Sequence, residues 1–143
     1  MRSKFAKFAT LAAFAGCLGF ACAPPPGPQT GTVCVVAEDC YPGIDHALLG
    51  TVFCEDKFEN GYCTHTCETD EDCCKYDEEC AAGLAYVCTP LSDDKIKRCW
   101  ISCEASDLGD ADPAAHCLMF AGAGAGCRSS GGGSDNRDIC APP

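Results

Sequence analysis

Apolar residues follow two regimes along this chain. Residues 8–21 are an unbroken, uncharged run rich in Ala, Phe, Leu and Gly. Beyond Pro24, Pro25 and Pro26, the large apolar side chains come in short clusters punctuated by Gly, Asp, Asn and Cys. Four clusters, at residues 51–54, 62–66, 84–89 and 98–102, are β-branched or aromatic and end at turn-forming residues, which predicts small hairpin strands. Asp112 followed by Pro113 predicts a helix over residues 113–121, because the Asp carboxylate can accept a free backbone N–H and Pro suits the first turn. Gly122 is placed to end it. A weaker start lies at Thr69, whose hydroxyl could cap a turn holding Asp70, Glu71 and Asp72, acids that favour the positive end of a helix. Residues 121–126 and 129–134 consist mostly of Gly, Ala and Ser and read as mobile loops.

The first regime is a targeting segment. Arg2, Lys4 and Lys7 precede the apolar run without an acid, the order of an export signal. The run covers 14 residues, short of the roughly 20 that span a bilayer, and the three prolines stop it. Cleavage after Ala23 fits the small-residue rule but leaves Pro24 at the new N-terminus. Two Cys close the run. Phe14-Ala15-Gly16-Cys17 and Gly19-Phe20-Ala21-Cys22 each resemble the bacterial lipobox, in which a Cys after small residues is lipidated and becomes the first mature residue. Lipidating Cys17 leaves fifteen other Cys, whereas lipidating Cys22 discards Cys17 and leaves fourteen, which can all pair. Parity and signal length favour Cys22, with Cys17 as the alternative and plain secretion as the third reading. Residues 22–32, rich in Pro, Gly and Thr, read as an extended tether.

Cysteine changes the picture of the rest. With 16 Cys in 143 residues, the chain has the composition of a disulfide scaffold made in an oxidising compartment. Cys34 to Cys40 and Cys67 to Cys73 share the pattern C-x-x-x-E-D-C, and Cys63–Cys67 and Cys99–Cys103 share C-x-x-x-C. Residues 33–67, 67–103 and 103–143 therefore read as three Cys-rich units, the third degenerate because it lacks the early second Cys. Large apolar residues number 24 of the 122 after residue 21, too few for an ordinary core. Bridges among Cys34, Cys40, Cys54, Cys63, Cys67, Cys73, Cys74, Cys80, Cys88, Cys99, Cys103, Cys117, Cys127 and Cys140 are expected to replace it. Their connectivity is open. The fold class is small and disulfide-rich, with loop-dominated tandem Cys modules, short β-hairpins and one short helix.

Charge then restricts function. The formal net charge is −11, and removing residues 1–21 leaves 7 − 21 = −14, which excludes nucleic acid as a partner. Cys63, His65 and Cys67 alternate in the manner of zinc ligands, but an oxidised Cys cannot ligate, so His65 reads as a surface side chain beside a bridge. Acids at Asp70, Glu71 and Asp72, at Asp77, Glu78 and Glu79, and at Asp107, Asp110 and Asp112 lack the D-x-D-x-D-G order of a calcium loop. No nucleophile or metal-base motif surrounds His46, His65 or His116. No cofactor, metal or catalytic residue is assigned.

Signal, Cys, Pro-rich spacer and tandem C-x-x-x-E-D-C units together resemble bacterial Cys-rich lipoproteins. That resemblance implies attachment to the membrane by an N-terminal lipid, and Ala23 after the Cys implies the outer membrane or cell surface. It also implies a non-catalytic binding or structural role, toward an unidentified protein or glycan. Tyr41, Phe53, Phe58, Tyr62, Tyr86 and Trp100 are either contact residues or core between bridges. Cys63, Cys67, Cys73, Cys74, Cys80 and Cys88, in the order C…C…CC…C…C, resemble the inhibitor cystine knot and, with the acids before the double Cys, whey-acidic-protein-type inhibitors. The alternative function is thus a knottin-like protease inhibitor or toxin-like secreted protein centred on residues 63–98, with Lys95, Lys97 and Arg98 as bait for a trypsin-like pocket.

Overall fold

A computed structural model describes residues 29–92, 95–131 and 133–143. The export segment, Cys17, Cys22 and the first part of the Pro-rich stretch lie outside the described residues. Three antiparallel hairpins follow one another: β1 (Val52–Cys54) with β2 (Cys63–His65), β3 (Tyr86–Pro90) with β4 (Lys97–Ile101), and β5 (Gly126–Ser129) with β6 (Asp138–Ala141). The short helices are α1 (His46–Leu49), α2 (Ala105–Leu108) and α3 (Pro113–Phe120).

One covalent plan recurs in all three hairpins. Each holds two Cys directly opposite one another: Cys54 with Cys63, Cys88 with Cys99, and Cys127 with Cys140. Opposed residues point to the same face of a hairpin, so both sulfurs face the segment that leads into it. The first-strand Cys bridges to the Cys that opens the unit, as Cys34–Cys54, Cys67–Cys88 and Cys103–Cys127. The second-strand Cys bridges to one on or beside a helical turn, as Cys40–Cys63, Cys73–Cys99 and Cys117–Cys140. All six sulfur-bearing residues of the latter set are fully buried. The inner cystine is therefore the core of each unit. The third unit follows the same plan with its second Cys fourteen residues after the first, at Cys117 on α3, instead of six. A seventh bridge, Cys74–Cys80, lies outside the plan.

Edge contacts join the units. Thr66 pairs with Arg98 and Ser102 with Ile139 as isolated bridges, and the Thr64 hydroxyl donates to the Cys99 carbonyl at 2.7 Å. Between the first two hairpins, Phe58 and Tyr62 stack at 4.6 Å and Tyr62 and Trp100 at 5.3 Å. Both polar handles of this stack are satisfied. Trp100 Nε1 donates to Thr89 O at 2.9 Å, and Tyr62 Oη accepts from Ile101 N at 2.9 Å.

The four expected strands and the helix after Asp112 are present, and the Asp112 carboxylate caps α3 by accepting from Ala115 N at 2.8 Å. Four expectations need correction. Helices α1 and α2 add to the single helix expected; each is four residues long, too short to show a period in sequence. At the turn over Asp70–Cys74 the capping group is Asp72, whose carboxylate accepts from Glu68 N and Thr69 N, not the Thr69 hydroxyl. The Gly-, Ala- and Ser-rich segments are not simply loops: Gly126 and Ser129 lie in β5, and Ser130 is buried, sharing a hydrogen bond of 2.9 Å with Thr89. Residues 29–32 belong to the body rather than to a tether. Thr30 N donates to Glu79 O, Gly31 N to Cys63 O, and Cys63 N to Thr32 O. Glycine suits position 31, where φ is +93°, a conformation strained for other residues, and where a Cβ would lie 2.6 Å from Ile101 Cδ1.

Candidate functional site

All fourteen Cys among the described residues are joined in disulfides. The clusters of three potential metal donors found among the described residues consist of these cystine sulfurs, which have no thiolate to offer a metal. Cys63 and Cys73 pair outside residues 63–88, with Cys40 and Cys99, so the six half-cystines there do not close a module of their own.

The acidic clusters divide into separate structural tasks. Asp72 caps its turn, and the two backbone N–H groups at its carboxylate hold its pKa below the usual range. Asp70 accepts from Cys88 N at 2.7 Å and pairs with Arg137 Nη1 at 2.7 Å. Arg137 also grips Glu104 with two bonds, at 2.6 and 2.8 Å, so its contact with Asp70 ties the segment before β6 to the second unit. That guanidinium lowers the pKa of Glu104, and the carboxylates raise that of Arg137. Asp107 accepts from Ser102 Oγ.

His65 is not on the surface. Its side chain is 1% exposed, and its Nε2 contacts the carboxylate of Glu79, which is fully buried. Its Nδ1 lies 2.9 Å from the Thr66 carbonyl oxygen. A carbonyl only accepts, so the Nδ1–H donates to it. The second carboxylate oxygen accepts from Tyr76 N at 3.0 Å. Tyr41 meets the imidazole edge-on at 5.4 Å and shares a 2.7 Å hydrogen bond with Thr30; burial pushes its phenol well above the ordinary value. This cluster is closed to solvent. It ties β2 to the loop before Cys80, and sequence alone gave no sign of it because Glu79 is one of 21 acids.

The aromatic residues proposed as contacts are mostly core: Tyr41, Phe58, Tyr62, Tyr86 and Trp100 are buried, and Phe53 is half-buried. Arg98 is 7% exposed, sits in β4 with its guanidinium 4.6 Å from the Phe53 ring centre, and lies 3.9 Å from Glu55. Lys95 is exposed and Lys97 half-buried. The three cations thus do not form one exposed loop.

The surface of the first unit carries a groove of about 770 Å³. One wall is Val33, Cys34 and Val35, the other is Asp56, Phe58, Glu59, Asn60 and Gly61, and the Cys34–Cys54 bridge lies between them. Gly61 makes the close approach possible: a Cβ there would lie 2.1 Å from Cys34 O and 2.9 Å from both sulfurs. Val33 and Val35 are 65% and 89% exposed. Asp39, Asp56 and Glu59 also line the groove. Two backbone N–H groups, from Val35 at 2.8 Å and Val36 at 3.0 Å, hold the Asp39 carboxyl below its ordinary pKa, so it is ionised at neutral pH. A usable sequence signal existed here, namely a Val-Cys-Val-Val run beside Glu38-Asp39, but it reads equally as a strand edge.

Fold and surface together define a small disulfide-rich structural or binding module, made where thiols are oxidised. No helix among the described residues is long and apolar enough to cross a membrane. Compared with protein-family models, curated proteins and solved structures, the chain matches none of them.

Proposed function

We propose that this chain is a non-catalytic binding module displayed at a bacterial cell surface and held there by a lipid on Cys22. The observation that carries this reading is the closed pairing of all fourteen Cys from Cys34 onward. With these joined to one another, a Cys at the mature N-terminus has no sulfur partner within the chain and is available to an acyl group. Short loops stapled at both ends suit binding, since little freedom is left to lose on contact. The inhibitor reading loses its main support, because Arg98 is buried in a strand and cannot enter a protease pocket.

Metabolic labelling with an alkyne fatty acid tests the anchor in wild type, Cys17→Ser and Cys22→Ser. Label is expected in wild type and Cys17→Ser and absent from Cys22→Ser. Label lost only in Cys17→Ser moves the anchor to Cys17; no label in any of the three leaves a secreted module and contradicts anchoring.

A further inference from the structure

The mature chain has few large apolar side chains, yet Val33, Val35 and Val36 stand exposed on one edge of the first unit. Leaving valines in water forgoes about 1.5 kcal/mol or more apiece, and a chain this poor in apolar residues has little to spare. Two of the three line the groove beside the Cys34–Cys54 bridge. Its charged lining residues are Asp39, Asp56 and Glu59; Lys57, exposed between Asp56 and Phe58 in the same segment, is not among them and offsets part of their charge. Asp56 and Glu59 are exposed on the rim, where a partner's cations reach them without a large desolvation cost. An apolar wall beside an acidic rim complements a ligand with aliphatic side chains flanked by positive charge.

We propose that this groove binds a basic, aliphatic segment of a partner protein, with its apolar side chains against Val33 and Val35 and its Lys or Arg side chains at Asp56 and Glu59. The inference rests on the reading of the chain as a binding module and names the chemistry of its partner. The walls are preformed. Cys34 N donates to Asn60 O at 3.1 Å, joining them by backbone, and the Cys34–Cys54 disulfide fixes the first wall to the end of β1, two residues before Asp56. The Asp39 carboxylate fixes the backbone at Val35 and Val36 by its two hydrogen bonds, so the valines are presented in a set position. The mature chain's charge of −14 adds a field that speeds the approach of a cationic partner.

The test is a titration of the exported, oxidised protein with the peptide Lys-Leu-Lys-Val-Lys, capped at both ends, at low salt. Saturable binding is expected. Asp56→Asn with Glu59→Gln should raise Kd about threefold to tenfold, and Val35→Ser about tenfold. Glu71→Gln with Asp77→Asn, elsewhere on the surface, should leave Kd unchanged. Retention of all seven disulfides, read by intact mass, confirms that each variant is folded. Failure of the peptide to bind overturns the proposal. So does equal binding of Glu-Leu-Glu-Val-Glu, or equal weakening by the Glu71 and Asp77 pair, which would reduce the effect to overall charge. Binding of the body to zwitterionic vesicles, lost in Val35→Ser while the peptide fails to bind, would assign the patch to a lipid surface instead. None of these results alters the acyl label on Cys22, so the anchored-module reading stands or falls separately.

Discussion

The middle and C-terminal hairpins carry the same pair of bridges around different contents. In the middle unit Trp100 is fully buried against Tyr62 and Phe58, with Val87 and Ile101 beside it. In the C-terminal unit Ile139 and the buried Cys117–Cys140 bridge fill the interior, while Leu118, Met119 and Phe120 of α3 point outward. The segment that supplies the inner cystine differs too: a tight turn in the middle unit and a two-turn helix in the last. In both, the two Cys stand directly opposite one another in an antiparallel pair. The bridges therefore set the hairpin, and apolar burial adds stability mainly at the centre, where three aromatic rings stack.

The largest contrast is expected from truncating the stack. Trp100→Ala removes a fully buried ring and should cost about 3–5 kcal/mol in denaturant unfolding of the oxidised protein. A cost below about 1 kcal/mol would show that the bridges alone carry the centre. Next come the bridges themselves. Cys73→Ala with Cys99→Ala opens a span of 26 residues, against 6 for Cys74→Ala with Cys80→Ala. Loop entropy assigns these about 3.5 and about 2 kcal/mol, so the inner bridge should lose the more of the two. The reverse order, measured in the same titration, would mean that the extra bridge is the structural one.

Acid should act on all three units through their carboxylates. Folding depresses the pKa values of Asp39, Asp72 and Glu104, so their contribution is present above the unfolded pKa and is lost as pH falls through the folded values. The thermal midpoint should hold from pH 7 to about 5 and decline below about 4. In Glu104→Gln, which removes the carboxylate held by Arg137, the decline should be shallower; an unchanged slope would exclude this pair as a source. The smallest effect is expected on the outward face of α3. Met119 is 73% exposed, and Met119→Ser should change unfolding free energy by less than about 0.5 kcal/mol. A larger loss would show that α3 is covered in solution.

Much of the hairpin architecture was legible in sequence, and the reason is local. The strands of the first two units announce themselves by β-branched and aromatic runs, and α3 by Asp112 and Pro113. The C-terminal hairpin was missed because β5 is Gly126, Cys127, Arg128 and Ser129, with no large apolar side chain; its strand is held by its backbone pairing with β6 and by the Cys103–Cys127 bridge. The same holds for residues 29–32, whose packing depends on Gly31 fitting under Ile101, a contact between residues 70 positions apart. His65 illustrates a third kind of miss. Its burial is decided by a distant carboxylate, and no pattern distinguishes Glu79 from its neighbours Asp77 and Glu78. The groove was hidden for a related reason: its walls come from two segments joined by a bridge whose partner sequence does not specify.

The most direct measurement is a disulfide map of the exported protein, by proteolysis without reduction and mass spectrometry of the linked fragments. Cys40–Cys63, Cys73–Cys99 and Cys117–Cys140 should appear as the three inner bridges, with Cys34–Cys54, Cys67–Cys88 and Cys103–Cys127 as their outer partners. Fragments linking Cys from different units, or more than two free thiols, would contradict the repeated cross-linked hairpin as the basis of this fold.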